Sequence, residues 1–520
     1  MDRPSRMAAL GGMLVLAWVA WSQPQPTYPE AAAYVQQGRY DLAIPLLEKI
    51  LAASPRDRKA RNLLGIALLS SGRKAEAGVQ FQKLLEIDPG FRPALQNLAV
   101  TEAELGRQKD AKAHFEQLLK LVPSDPVAHL YMGEISFGER RYSDAVAHYE
   151  QSGGQHLKSP PVTLHYARSL VECGKAAVAQ QVLEQLPPGS DAEWHFDAGV
   201  LLAGAKRYDA AARQFQLARN GYFDPYLAGF NLIVALVESQ DNKAAIQAGE
   251  QLLAQGHRKA ELYNLLSRAY EADGRTQQAY DALRSATQID PQDEANYVDL
   301  MSLCLTHENW DLSLEIAEVA LSRIPQAYRV RLQRGAVLAM QGKMEDAEKE
   351  FLAAAQVAPQ ADLPPVALAL AQIDMSKFAE AAAVLRARRA SRDYRVHWLL
   401  AEALSRAGAE PGSAAAKEAV AELQQAVRLN PSASQPRVLL GKMLMKRGDA
   451  AAAAVQLEEA LKLDPQEMSA AYQLAMIYRD QGNTKRAEEL AARVGKARAA
   501  PDPSQFTQRN LVKIIREGSK

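Results

Sequence analysis

The chain is poor in the residues that build covalently or metal-held folds. Its 520 residues include two cysteines, Cys173 and Cys304, far apart in sequence, with no Cys-x-x-Cys pair and no Cys/His grouping at zinc spacing. Neither a disulfide framework nor a structural zinc can therefore organise it. An excess of charge is also missing: Lys+Arg and Asp+Glu both total 61, so the formal net charge is zero. No long-range field draws the chain to nucleic acid or to an anionic membrane. Val, Ile and Phe are scarce beside Ala and Leu, which favours helices over strands. The motifs of phosphate loops, zinc proteases, serine hydrolases and dinucleotide-binding turns do not occur, and Gly482-Asn483-Thr484-Lys485 only imitates the first of these. No cofactor, metal or catalytic constellation is expected, and no enzyme activity is read.

What the chain does contain is a repeat. Ala260 to Pro291 reads Tyr263-x2-Leu266-Ser267-x2-Tyr270, then Gly274, then Ala279-x3-Leu283-x2-Ala286, and closes on Asp290-Pro291. Apolar residues at i, i+3 and i+7 make an amphipathic helical stripe on both sides of Gly274, so the stretch predicts a helix, a tight turn, a second helix and a stop. A step of 34 residues carries Ala279 onto Ser313 and Ala347, Ala286 onto Ala320 and Ala354, and Pro291 onto Pro325 and Pro359.

The same register runs from the start of the chain. Ala43, Ala77, Ala111, Ala145 and Ala179 hold one position, and Leu47, Phe81, Phe115, Tyr149 and Leu183 the position four residues later. A small residue where two helices cross lets their backbones approach, and a bulky one a turn later fills the space beside it. Gly65, Ala99, Gly133 and Ala167 supply the small partner on the first helix, and Gly72 and Gly106 the left-handed stop between helices. This period and pattern resemble the tetratricopeptide repeat. The resemblance covers nearly the whole chain after roughly the first two dozen residues and implies an all-α, right-handed α-solenoid of stacked helix-turn-helix units, about 14 of them. It implies little about function, because this scaffold serves many unrelated partners.

The expected boundaries follow. Arg3 and Arg6 precede an uncharged run, Met7 to Trp21, too short to span a bilayer and followed by Ser22 and Gln23-Pro24-Gln25-Pro26. Residues 1–22 are read as a secretory signal peptide cleaved after Ser22, with an uncleaved membrane anchor through residues 7–21 as the alternative. Residues 23–29 form a Pro-rich segment, 30–494 the repeats, 495–503 a linker and 504–517 a capping helix. The first helix is expected to begin only after Pro29. The fourth repeat ends irregularly at Ser152-Gly153-Gly154, which predicts a shortened second helix, and Ala409 to Ser413 is an insertion between the helices of a later repeat.

Of the histidines, His195 beside Trp194 and Phe196 is the most suggestive, yet without a nucleophile or carboxylate partner a His on a packed helix is structural. Function must then come from surface. The resemblance implies that the second, fifth, ninth, twelfth and thirteenth residues of each repeat face a concave groove. Those positions give Leu130, Glu134 and Phe137, then Leu164, Arg168 and Val171, then Phe196 and Val200, then Leu227, Phe230, Val234 and Val237; later repeats place Trp398, Arg406 and Lys442 there. One reading is an apolar trough for a helix or extended segment of a protein or peptide partner, with basic residues further along. The other is that the same positions are packed between neighbouring repeats. The expected function is an exported, periplasmic or secreted, non-catalytic scaffold of the bacterial envelope. Its alternatives are an accessory subunit presenting substrate to a separate glycosyltransferase or protease, or a self-assembling structural solenoid. Nucleic acid and small-molecule cofactors are not expected partners.

Overall fold

The structure, a computed structural model, describes residues 27–187 and 189–497; the signal-peptide and capping-helix expectations lie outside the described residues. Among the described residues there are twenty-eight α-helices, one short 3-10 turn and no strand, an all-α solenoid of helix pairs. The chain divides into two compact units, Met1–Ser239 and Gln240–Lys520.

In the first unit, α1 (Tyr28–Gln36) pairs with α2 (Tyr40–Ala53), α3 (Arg58–Ser70) with α4 (Lys74–Ile87), and α5 (Arg92–Glu104) with α6 (Gln108–Leu121). There follow α7 (Pro126–Gly138) and α8 (Tyr142–Gln151), α9 (Pro160–Glu172) and α10 (Ala176–Leu183), α11 (Ala192–Gly204) and α12 (Tyr208–Ala218), then α13 (Pro225–Glu238). The second unit opens with α14 (Asn242–Ala254), then α15 (Ala260–Ala272) with α16 (Thr276–Ile289), α17 (Glu294–Thr306) with α18 (Trp310–Arg323), and α19 (Tyr328–Met340) with α20 (Met344–Val357). It continues with α21 (Leu363–Asp374) and α22 (Phe378–Arg386), α23 (Tyr394–Arg406) and α24 (Ala414–Leu429), α25 (Ser434–Lys446) and α26 (Ala450–Leu463), and closes on α27 (Met468–Asp480) and α28 (Thr484–Ala497).

Two residue types make the pairs. The turn after each first helix holds a residue at positive φ: Gly72 and Gly274 at 83° and 76°, but also Arg140, Lys206, Gln240, Glu308 and Ser376 at 54° to 66°. Glycine reaches this region without a Cβ penalty, whereas the other five carry it. Inside several pairs the small residue of the first helix lies under the bulky one of the second. A Cβ added at Gly133 would sit 2.7 Å from the Tyr149 ring, one at Gly199 2.7 Å from Phe215, and one at Gly335 2.5 Å from Phe351. The rings of Tyr149 and Phe351 are fully buried, each removing on the order of 2–3 kcal/mol of apolar surface from water. At Tyr149 the same burial, with the Glu134 carboxylate adding to it, drives the phenol far above its ordinary range.

A polar latch repeats at the fourth residue of several first helices, joining the preceding loop to the second helix. Arg61 donates to Pro55 O and Gln80, Arg331 to Pro325 O and Glu350, and Arg437 to Pro431 O and Gln456, always six residues back and 19 residues on. His129 takes the same place with Pro123 O (2.9 Å) and His148 (3.0 Å). His195 does so with Pro187 O (3.1 Å) and Gln214 (2.8 Å), so the histidine beside Trp194 is fully buried structure. His397 bonds Ser391 O and Glu422, the latter 25 residues on instead of 19. That surplus of six is the insertion: α24 has 16 residues against 14 in α16, and the remainder loops out between Arg406 and Ala414.

Two boundaries differ from expectation. α1 starts at Tyr28 with Pro29 inside its first turn, where proline loses no helical bond. At the other end α28 runs through Gly495 to Ala497, into the stretch expected as linker. The shortened second helix of the fourth repeat is present, α8 having 10 residues, and α10 is shorter still at 8.

Candidate functional site

In the first unit an open cleft of about 690 Å³ runs across α7, α9 and α11. It brings together Phe137, Leu164, Arg168, Val171 and Val200 from the positions expected to face a groove, and adds Trp194, Asp197 and Leu201. Val200 is 48% exposed although it stands in the middle of a helix that packs on both sides. One wall is built upward from a buried phenol. Tyr149 donates to Glu134 (2.6 Å), whose carboxylate also holds His165 Nδ1 at 3.1 Å, and the His165 ring lies stacked at 4.1 Å under Phe137. Phe137 therefore presents a fixed apolar face, immobilised by a bond chain that begins in the core.

Charge in the cleft is not balanced locally. Arg168 is exposed and forms no ion pair or hydrogen bond among the described residues. The Asp197 carboxyl is pushed above its ordinary range, first by burial and then by the neighbouring Glu193. Asp197 and Trp194 were missed by positional reasoning because they sit third and sixth in their repeat, outside the positions carried over. Their spacing of three residues, one helical turn, was the available signal.

Several expected groove residues lie elsewhere. Phe196 is buried at 8% exposure, because the loop after α12 folds back and stacks Tyr222 on it at 4.0 Å, with Phe215 edge-on at 5.5 Å. Leu130, Phe230 and Val234 are half-buried and do not line the cleft, Phe230 resting against Tyr226 at 5.8 Å. In the second unit Trp398 is buried at 5%, inside a core that also holds Leu370, Leu399 and Val438. A fifth position of the first helix is thus packed between neighbours in both units, and Phe196 and Trp398 are corrected from groove to core. Arg406 is exposed but already paired with Glu402 at 2.6 Å, while Lys442 is half-buried. A second cleft, about 670 Å³, opens between α27 and α28 over Tyr472, Met476, Ala491 and Val494.

The two cysteines are free thiols; Cys304 is buried, and burial pushes it up to about 11, which leaves it almost wholly protonated at neutral pH. No group of three or more His, Cys, Asp or Glu among the described residues is placed to hold a metal ion. No helix among them is long and apolar enough to cross a membrane.

Helix pairs with a small-under-bulky interior, a left-handed turn and first helices that carry an open cleft define a helical-repeat solenoid. Family models described as tetratricopeptide repeat match residues 28–90, 97–153, 230–294, 305–362 and 416–457, and again 444–506, more than half of the chain. The chain belongs to the tetratricopeptide repeat family. No curated protein matches it. Among solved structures it is similar to yeast Tom70, with 16% identity over 94% of each chain and a TM-score of 0.37. The APC/C hetero-tetramer Cut9-Hcn1 aligns at 12% identity over 86% of this chain and 95% of that one, TM-score 0.35. Naa15/Naa10 bound to HypK-THB aligns at 13% over 94% and 96%, TM-score 0.33. The cleft falls mainly between residues 153 and 230, the stretch the family models pass over and where α10 and α12 are short.

Proposed function

We propose that this tetratricopeptide repeat protein is a non-catalytic protein-protein interaction scaffold whose α7–α9–α11 cleft receives a segment of a protein partner. The observation that carries the reading is the exposed apolar floor of that cleft: Val200 stands open between Leu164 and Leu201, and Phe137 is held in place from below. An exposed apolar patch on an otherwise well-packed repeat array marks a recognition surface. The basic start and apolar run of residues 1–22 support placing the scaffold outside the cytoplasm, in the bacterial envelope.

A photo-crosslinking side chain at Val200 tests the reading, with the same group at Leu217 as control, an exposed position on α12. Irradiation in cells should give a discrete adduct from position 200 and none from 217. No adduct, or equal adducts from both, would overturn the cleft. N-terminal sequencing of the protein from fractionated cells tests the location, and an intact Met1 in the cytoplasmic fraction would overturn it.

A further inference from the structure

The cleft is lopsided in charge at its α11 edge. Glu193 and Asp197 form no ion pair among the described residues, and no cation is among the charges acting on Asp197, whose carboxyl is raised by burial and Glu193 alone. Arg168, on α9, does not relieve it. Beside these carboxylates lie two rings that the second helix of the repeat does not cover. Tyr222 is stacked on Phe196, and Phe223 leans against Tyr222 with ring centroids 4.5 Å apart while remaining 82% exposed. Glu193 and Asp197 are four residues apart on α11, each within one turn of Phe196, on which Tyr222 stacks, and the Tyr222 phenol is pushed up by burial with Asp197, Glu193 and Asp224 adding to it.

Unpaired carboxylates near an open aromatic ring, that of Phe223, suit one kind of side chain. A lysine or arginine satisfies both, through charge-assisted hydrogen bonds to oxygen and cation–π contact with the Phe223 ring. An acidic side chain at the same edge would meet only like charge. An aliphatic one would leave the carboxylates desolvated and unpaired.

We propose that the segment received by the cleft carries a lysine or arginine beside its apolar anchor, the cation held by Asp197 and Glu193 with the exposed Phe223 ring beside it. The inference rests on the cleft being a partner site and adds what that partner must present.

A displayed library of random 12-residue peptides, panned against the full-length protein, tests it. Enriched peptides should share an apolar residue with a neighbouring Lys or Arg. A synthetic peptide of the enriched consensus should bind about tenfold more weakly to the E193K/D197K variant, and replacing its basic residue by Glu should restore affinity for that variant only. Circular dichroism confirms that the variant, changed at exposed positions, is folded. Peptides that bind the wild type, lose binding to V200D, yet lack a basic residue or bind E193K/D197K unchanged would overturn the cation while leaving the cleft. No enrichment, or equal binding to V200D, would overturn the cleft and this inference with it.

Discussion

Replacing Gly335 by alanine places a methyl 2.5 Å from the Phe351 ring edge and 2.8 Å from the next carbon, where carbon–carbon contacts normally begin near 3.5–4.0 Å. The ring must retreat by about 1 Å, but Phe351 is fully buried and has nowhere open to go. The expected cost is that of overpacking, about 1–3 kcal/mol. Phe351→Leu alone leaves a small void and should cost about 1 kcal/mol. The chain already contains the combined solution, since Ala167 and Leu183 occupy the same two positions and both are fully buried. The double variant G335A/F351L should therefore cost less than the sum of the singles, with a coupling of about 1–2 kcal/mol. Ala99 faces Phe115 at this register, so a repeat can be spaced for both; the cost at Gly335 belongs to a backbone set for a glycine. Hydrogen exchange of α19 and α20 reads the effect locally, which suits an array whose units need not unfold together. A neutral G335A, or strictly additive singles, would refute the size-complementarity argument.

Other expectations are simpler. Ser313 stands where other repeats have Ala279 and Ala347; it is fully buried and its hydroxyl has no partner, so Ser313→Ala should stabilise α17–α18 by about 1 kcal/mol in a urea melt. Lys206 holds φ 57° in a turn position that is glycine in most of the other repeats, and Lys206→Gly should gain about 0.5–1 kcal/mol, read as a higher denaturation midpoint. His148 is held below its usual range by burial and by His129, with Arg141 adding to this and Asp144 opposing it. A group lowered in this way contributes stability above about pH 6.5 that is lost as pH falls. The melting temperature should therefore drop on acidification toward pH 5, and less so in His148→Gln, which installs the residue that Gln80, Gln214 and Gln456 supply elsewhere. An unchanged pH profile in that variant would remove the His129–His148 latch as the cause.

The period was legible because packing repeats with it: Ala43 and its successors at 34-residue steps to Ala179 are buried, as are Ala211 to Ala381 after a two-residue shift, with Ser313 among them, and Ala419 and Ala453 after the insertion, and the turn residue keeps its positive φ whether or not it is glycine. The cleft was legible in part. Phe137, Leu164, Arg168, Val171 and Val200, all at positions read as groove-facing, line one cleft. Phe196 did not follow, because its exposure is decided by Tyr222 in a loop whose course depends on where the shortened α12 stops. The carry-over of groove positions assumes regular second helices, and α10 and α12 are not regular. The latches show the same limit from the other side. The spacing of six and 19 residues at Arg61, His129, Arg331 and Arg437 is present in the sequence, while His195 reaches eight residues back and His397 25 on, yet Arg, His, Gln and Glu in those places look like solvent-facing polar residues until geometry pairs them.

The latch at His397 and Glu422 closes although its two ends stand 25 residues apart instead of 19. Added length between α23 and α24 has been absorbed without disturbing what lies on either side, mostly as a bulge around Pro411 and Gly412, exposed to solvent. That bulge is thus the natural mounting point for a foreign epitope or dye on this chain: cargo placed there would ride outside the interior, and the helices on either side would not register its arrival.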